Sequence, residues 1–332
     1  PGRVRYKDLG LPPEWSTVKL WFTSSAAPSP QAPPPKSWEK KIPQIPTLEN
    51  YSVAPEPSFW DLFPSRPLPS VLSSQVDTNL LQSLFMEVRN SIPTETIPWC
   101  ESALSSLKEG AAAFQLKTLP SLKSPNAASL LEHGERVTDT IAQGIHKGFI
   151  AGPFSSIPLA DFRSNSMNGI LQKDKIRLVM DLSRPAGSSY NENIQPNSSR
   201  KVSMSSPRQF SFSLLESGPG AIFSKHDWCD AYKNIPVKIE DLRLQGFTWL
   251  DKYFVELSLV FGSKNSVAAF DNLGELILNI ACCKSNFPRH LTHRTLDDVP
   301  VVSPRKSGLT KKFSHVYKHL CSSLNIKLAP EC

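Results

Sequence analysis

The chain has 332 residues, with 37 Lys and Arg against 30 Asp and Glu, a net charge of +7 and a pI near 9.1. This length allows two domains, and the positive balance suits a polyanionic partner without requiring one. Six cysteines (Cys100, Cys229, Cys282, Cys283, Cys321 and Cys332) lack the close spacing of a disulfide framework, which points to a reducing compartment. No run of eighteen apolar residues and no leader pattern is present, so an intracellular protein, cytoplasmic or nuclear, with no membrane partner is expected.

In chain order, Ser24 to Pro69 is crowded with proline, including Pro33-Pro34-Pro35 and the stretch Pro64 to Pro69. It predicts an extended, largely disordered arm over 1–75, whose Trp38, Tyr51, Phe59, Trp60 and Phe63 are free to dock on the folded part or a partner. A helical and loop lead-in follows over 76–128, with helical spacing in Leu80-Leu81, Leu84-Phe85 and Val88 and breaks at Pro93 and Pro98. Leu130-Leu131, Val137, Ile141 and Ile145 recur near every 3.6 residues and predict a helix over 129–148. Ala221 to Ser224 reads as a short strand that leads into Asp227, after which Asp230 to Val237 turns away. Thr295-Leu296 and Val299 to Val302 read as the arms of a hairpin with Asp297-Asp298 at its turn.

Asp227 and the distant Asp297-Asp298 pair are candidate metal ligands. Phosphoryl transfer to a growing nucleic-acid end needs positioning and charge neutralisation more than covalent participation, and two Mg²⁺ ions supply it in many enzymes. Mg²⁺ takes hard oxygen ligands and keeps several waters, so two or three Asp side chains converging from separate strands suffice. Taken alone, an Asp-Asp pair is a common solvated turn former. Cys282-Cys283 with His290 and His293 suits zinc poorly, because adjacent cysteines fit a tetrahedral site badly and the pair ends an apolar helix. No Ser/His/Asp nucleophile set, glycine-rich phosphate loop or dinucleotide fingerprint is present.

Several strings in one order resemble reverse transcriptases. Lys175 to Ser183 with Ser189-Tyr190-Asn191 resembles their fingers motif, and Lys225 to Tyr232 the first palm motif. Gly246 to Glu256, Phe261-Gly262 and Ala268 to Ile277 look like the strand, turn and helix of the template-facing motif. Thr295 to Pro300 resembles the acidic-doublet motif, and Asn325 to Cys332 the start of the next. The wording is closest to DIRS-like tyrosine-recombinase retrotransposons, through Gly152-Pro153-Phe154, Asp241 to Phe247 and His293 to Asp298. The resemblance covers roughly 130–332 and does not reach 1–75.

The resemblance implies an α+β right-hand polymerase, with fingers and palm over 129–332 and an antiparallel palm sheet backed by helices. It implies RNA-directed DNA synthesis on an RNA or DNA template with a primer, from dNTPs, with Mg²⁺ or alternatively Mn²⁺. Asp227, Asp297 and Asp298 would be the catalytic metal ligands. Lys175 and Arg177 would meet the triphosphate, with a structural salt bridge from Arg177 to Asp174 or Asp181 as the competing account. Asp230 would lie near the triphosphate through its backbone. Tyr232 would pack under the sugar and exclude a 2′-hydroxyl, the alternative being a core tyrosine on a short helix. Gly262 would let the backbone approach the nascent base pair, or else serve an ordinary strand-to-helix turn. Lys264 is a further candidate phosphate contact. Thr295 stands where many relatives have Tyr or Phe, which bears on primer-end packing rather than on the metal ligands.

Basic clusters at Lys173 to Arg177, Arg200-Lys201, and Arg305-Lys306 with Lys311-Lys312 would line a template–primer channel or form a solvated face. The chain ends shortly after the doublet, before any thumb, ribonuclease H or recombinase region. That ending raises a second expectation: an inactive or repurposed fragment that binds nucleic acid.

Overall fold

The computed structural model describes residues 59–61, 63–113, 118–172, 175–195, 202 and 204–330. All of them fall within one unit spanning 56–332. The proline-rich stretch up to residue 58, and Lys173, Asp174, Arg200, Lys201 and Cys332, lie outside the described residues. Of the arm's aromatic residues, Trp60 is buried, with its ring edge-on to Phe63 at 5.5 Å and to Phe254 at 5.1 Å. Arg66 then exchanges two 2.9 Å backbone bonds with Gly152.

Two helices follow. Asp77 caps α1 (Thr78–Val88) by accepting from the Leu80 amide at 2.9 Å, and Leu81, Phe85 and Val88 form its buried stripe. Pro98 does not break the chain as the sequence suggests. It lies in the first turn of α2 (Ile97–Glu109), where a missing N–H leaves no intrahelical bond unmade. The helix expected over 129–148 is divided into α3 (Ala128–Leu131) and α4 (Gly134–His146). His133, at φ −125° and ψ 36°, leaves the helical region between them, and Val137, Ile141 and Ile145 of α4 are buried as the spacing predicts.

The protein is α+β, with three sheets. The largest has the order β1 (Leu122–Lys123), β3 (Arg163–Ser164), β7 (Gly246–Trp249), β8 (Lys252–Glu256), β2 (Ile150–Phe154). Its β1–β3 and β3–β7 pairs are parallel, so it is a mixed sheet rather than an antiparallel one. A long hairpin pairs β4 (Ser166–Gln172) with β5 (Lys175–Asp181), and a second antiparallel pair joins β6 (Ile222–His226) to β9 (Val299–Ser303). This last pair joins the segment before Asp227 to the segment after Asp298. It is extended at Trp228 by a bridge to Leu328 and by the bonds Cys229 N to Lys327 O and Ala329 N to Asp227 O, at 2.9 and 2.8 Å.

Helices back this small sheet: α5 (Pro207–Ser217) packs on β9, while α7 (Leu309–Ser323) packs on β6, β9 and α6 (Lys264–Ser285). α6 is buried on nearly every side. Among the described residues it alone is long and apolar enough to cross a membrane, and 89% of that stretch is buried inside the protein. Its two buried acidic residues have cationic partners: Glu275 accepts two bonds from Arg289 at 2.8 and 2.9 Å, and Asp271 pairs with Arg294. Burial of such groups is tolerable only with partners of this kind.

Candidate active site

The β6–β9 register decides which acidic residues meet. Lys225 stands opposite Pro300 and His226 opposite Val299, so one further step sets Asp227 opposite Asp298. Strand alternation sends Ser224 and His226 to one face and Phe223, Lys225 and Asp227 to the other. Ser224 Oγ and His226 Nε2 reach Ser314 Oγ of α7 at 2.8 and 3.1 Å, which identifies the first face as the one against α7. The carboxylate of Asp227 therefore belongs to the opposite face, with Lys225. Thr295 and Asp298 bond each other's backbone in both directions, at 2.9 and 3.2 Å, and enclose a two-residue turn of Leu296 and Asp297. Leu296 has φ +58°, a left-handed conformation that favours glycine and is a strained choice for leucine.

Lys225 and Asp297 feel the charges of the other acidic residues. Lys225 Nζ lies 2.7 Å from Asp298 Oδ1, and this bond raises the Lys225 pKa above its ordinary value despite some desolvation. The charges of Asp298, Asp227 and Asp297 all act in the same direction on that ammonium. Burial pushes the Asp297 carboxyl above the usual carboxylate range; Asp227 and Asp298 add to the rise, while a bond to its own backbone and the Arg177 guanidinium oppose it.

Arg177 reaches the site from β5. Its guanidinium lies 5.1 Å from the centre of the Phe261 ring, and Phe261 meets the buried Tyr232 edge-on at 4.7 Å. The Tyr232 phenol is pushed up to about 12, first by burial and then by the charges of Asp297 and Asp271. Arg177 does not take the salt bridge to Asp181 considered from the sequence; Asp181 pairs with Arg184 at 3.4 Å. Lys175 is exposed two residues before Arg177 on the same strand face.

Other expected residues are occupied elsewhere. The Asp230 side chain is turned to Lys147 at 2.7 Å, and Asp230 itself is left-handed at φ +49°. Lys264 donates to the Asn191 carbonyl at 2.7 Å, which leaves the phosphate role without geometric support. Gly262, at φ +100°, makes its close approach to the Met180 carbonyl oxygen, 2.6 Å from where a Cβ would stand. Arg305-Lys306 and Lys311-Lys312 are not beside the carboxylates: the first pair follows Ser303, at the opposite end of β9 from Asp298, and the second opens α7 on the other face of the β6–β9 pair.

Sequence reasoning missed three contributors. Lys225 had one usable signal, its position two residues before Asp227 on the same strand face. Phe261 links Arg177 to Tyr232. Buried Arg294 donates to the Asp271 backbone carbonyl at 3.0 Å and to the Leu296 carbonyl at 3.4 Å, tying α6 to the turn that presents Asp297.

Among the described residues, no set of three or more His, Cys, Asp or Glu side chains is gathered closely enough to hold a metal by itself. That covers the cysteine–histidine group too: His293 bonds Ser213 at 2.9 Å, His290 bonds Glu216 at 3.0 Å, and burial raises the Cys282 thiol to about 12. Mg²⁺ is commonly held by only one or two carboxylates plus substrate phosphates. The hard oxygens of Asp227, Asp297 and Asp298, whose fields converge on one ammonium, are a donor set of that chemistry.

No protein-family model and no curated protein matches the chain. Two similar solved structures are of prototype foamy virus protease-reverse transcriptase, one native, at 14% identity and a TM-score of 0.46. The other is a selenomethionine-labelled CSH mutant, at 13% identity and a TM-score of 0.45. Each comparison covers 64% of this chain and 25% of the other, so the chain spans a quarter of the length of those proteins.

Proposed function

We propose that residues 129–332 are the fingers and palm of an RNA-directed DNA polymerase of the DIRS-like retrotransposon kind, and that the β6–β9 strand pair carries its nucleotidyl-transfer site. The observation that supports this most is the register that sets Asp227 opposite Asp298, with Asp297 in the adjoining turn. On this reading residues far apart in the chain would act as one acidic site, and the Arg177 guanidinium, from a third element, acts on the Asp297 carboxyl.

Two Mg²⁺ ions supply charge neutralisation at the attacking and leaving oxygens in such a reaction, and Asp227 and Asp297, supported by Asp298, would hold them. Arg177, kept in place by Phe261, offers a planar fork to the triphosphate of an incoming dNTP, and Lys175 a point charge nearby. Tyr232, wedged between Phe261 and Phe270, has little freedom to withdraw from a 2′-hydroxyl, which favours deoxynucleotides. Lys225 holds Asp298 at 2.7 Å, so a cation bound by Asp298 would compete with this ion pair.

Primer extension on an RNA template with Mg²⁺ and dNTPs, by this chain or a C-terminally extended form, tests the proposal. Asp227→Asn and Asp297→Asn are expected to lower extension on the order of 10²-fold or more while template binding persists. Equal extension by these variants overturns the site. Template binding with no extension in either form supports the non-catalytic nucleic-acid-binding alternative.

A further inference from the structure

From Val299 to Pro330 the chain contains no Asp or Glu but has Arg305, Lys306, Lys311, Lys312, Lys318 and Lys327. The structure gives this bias a direction. Thr310, Phe313, Tyr317, Leu320 and Cys321 of α7 are buried, whereas Lys311, Lys312, His315, Lys318 and His319 are exposed. Positions 311, 315 and 319 are successive i, i+4 neighbours, and 312 adjoins 315, so these side chains form one stripe along the helix. Arg305 and Lys306 are exposed in the turn that delivers the chain to its N-terminal end.

This stripe is separate from the carboxylate site. α7 packs on the face of β6 that bears Ser224 and His226, and Asp227 belongs to the other face. The β6–β9 pair and the body of the helix thus stand between the two, and one strand of nucleic acid that passes the carboxylates does not lie along both.

We propose that the outer face of α7, extended by Arg305 and Lys306, is a second nucleic-acid surface that binds the phosphate backbone without reading sequence. The helical span from Lys311 to His319 is ~12 Å, along which duplex DNA presents about seven phosphates, so several cations engage at once. An anionic membrane is the less suitable partner. A helix lying on lipid presents Trp, Phe or Leu to it, and the apolar side of α7 is already buried in the core. The proposal does not depend on polymerase activity.

Fluorescence anisotropy of the whole protein with a duplex of about 20 base pairs, from about 50 to about 200 mM salt, provides the test. Lys311→Ala/Lys312→Ala is expected to weaken binding and reduce the slope of log K against log salt by about 1.8, two phosphate contacts at about 0.9 each. The reversed pair Lys311→Glu/Lys312→Glu is expected to weaken it further. Circular dichroism should be unchanged, since both positions are exposed. A matched reversal at Lys108 and Lys123, exposed on other elements, is expected to change the slope less. An unchanged slope in the alanine variant overturns the proposal, as does an equal effect of the control reversal, which would reduce the stripe to net charge. Loss of binding to phosphatidylserine vesicles with duplex binding intact would overturn it in favour of a membrane.

Discussion

Gly262 joins β8 to α6 with φ +100°, and a Cβ there would stand 2.6 Å from the carbonyl oxygen of Met180. Asn191 Nδ2 donates to the Gly262 carbonyl at 2.7 Å, so the residue holds β5 against the start of α6 and keeps Arg177 near Phe261. Both the torsion and the space exclude a side chain. Gly262→Ala is expected to destabilise the protein by about 1–3 kcal/mol in thermal or denaturant unfolding. A neutral substitution would show that the β5 carbonyl moves aside freely. The requirement for glycine was legible from the sequence as a turn or close approach, but not what it approaches, because Met180 lies on a strand far upstream. Leu296 is similar in kind: nothing in its identity announces a left-handed conformation, and the two-residue turn imposes it.

At the scale of elements, short strands and buried helix faces followed their alternation and 3.6-residue spacing closely. Register did not. Only the paired backbone shows that His226 stands opposite Val299, one step before Asp227 and Asp298, and that α7 covers the other face. The turn with the doublet is also anchored to α5 through His293, which bonds Ser213 at 2.9 Å and meets Phe210 edge-on at 5.4 Å. Burial, and then the Arg289 charge, lower the His293 pKa. The folded protein therefore binds this proton less readily than the unfolded chain does. The sign follows: stability from the neutral ring is present above about pH 6.5 and is lost as pH falls through that value toward the depressed folded one. Unfolding midpoints measured from neutral to mildly acidic pH should fall for the wild type and fall less for His293→Gln. Identical profiles would show that the docking of α5 tolerates the charge.

For the molecule as a whole, the α+β class followed from the resemblance of the motifs along 129–332. The largest sheet did not, since its parallel β1–β3 and β3–β7 pairs depend on β1 and β3, two residues each with little strand pattern of their own. The three acids were legible as a candidate unit from chemistry; their neutralisation by Lys225 and the tie from Arg294 to the Leu296 carbonyl were not, since both depend on tertiary placement. The central claim is that Asp227 and the Asp297-Asp298 turn hold divalent cations together. Fe²⁺ used in place of Mg²⁺, with ascorbate and peroxide, cuts the backbone beside its binding site and so maps that claim directly. Cuts are expected around both Asp227 and Asp297, suppressed by excess Mg²⁺ and lost together in Asp227→Asn. Cleavage at only one of the two segments, or at both but unchanged in Asp227→Asn, would contradict a shared site.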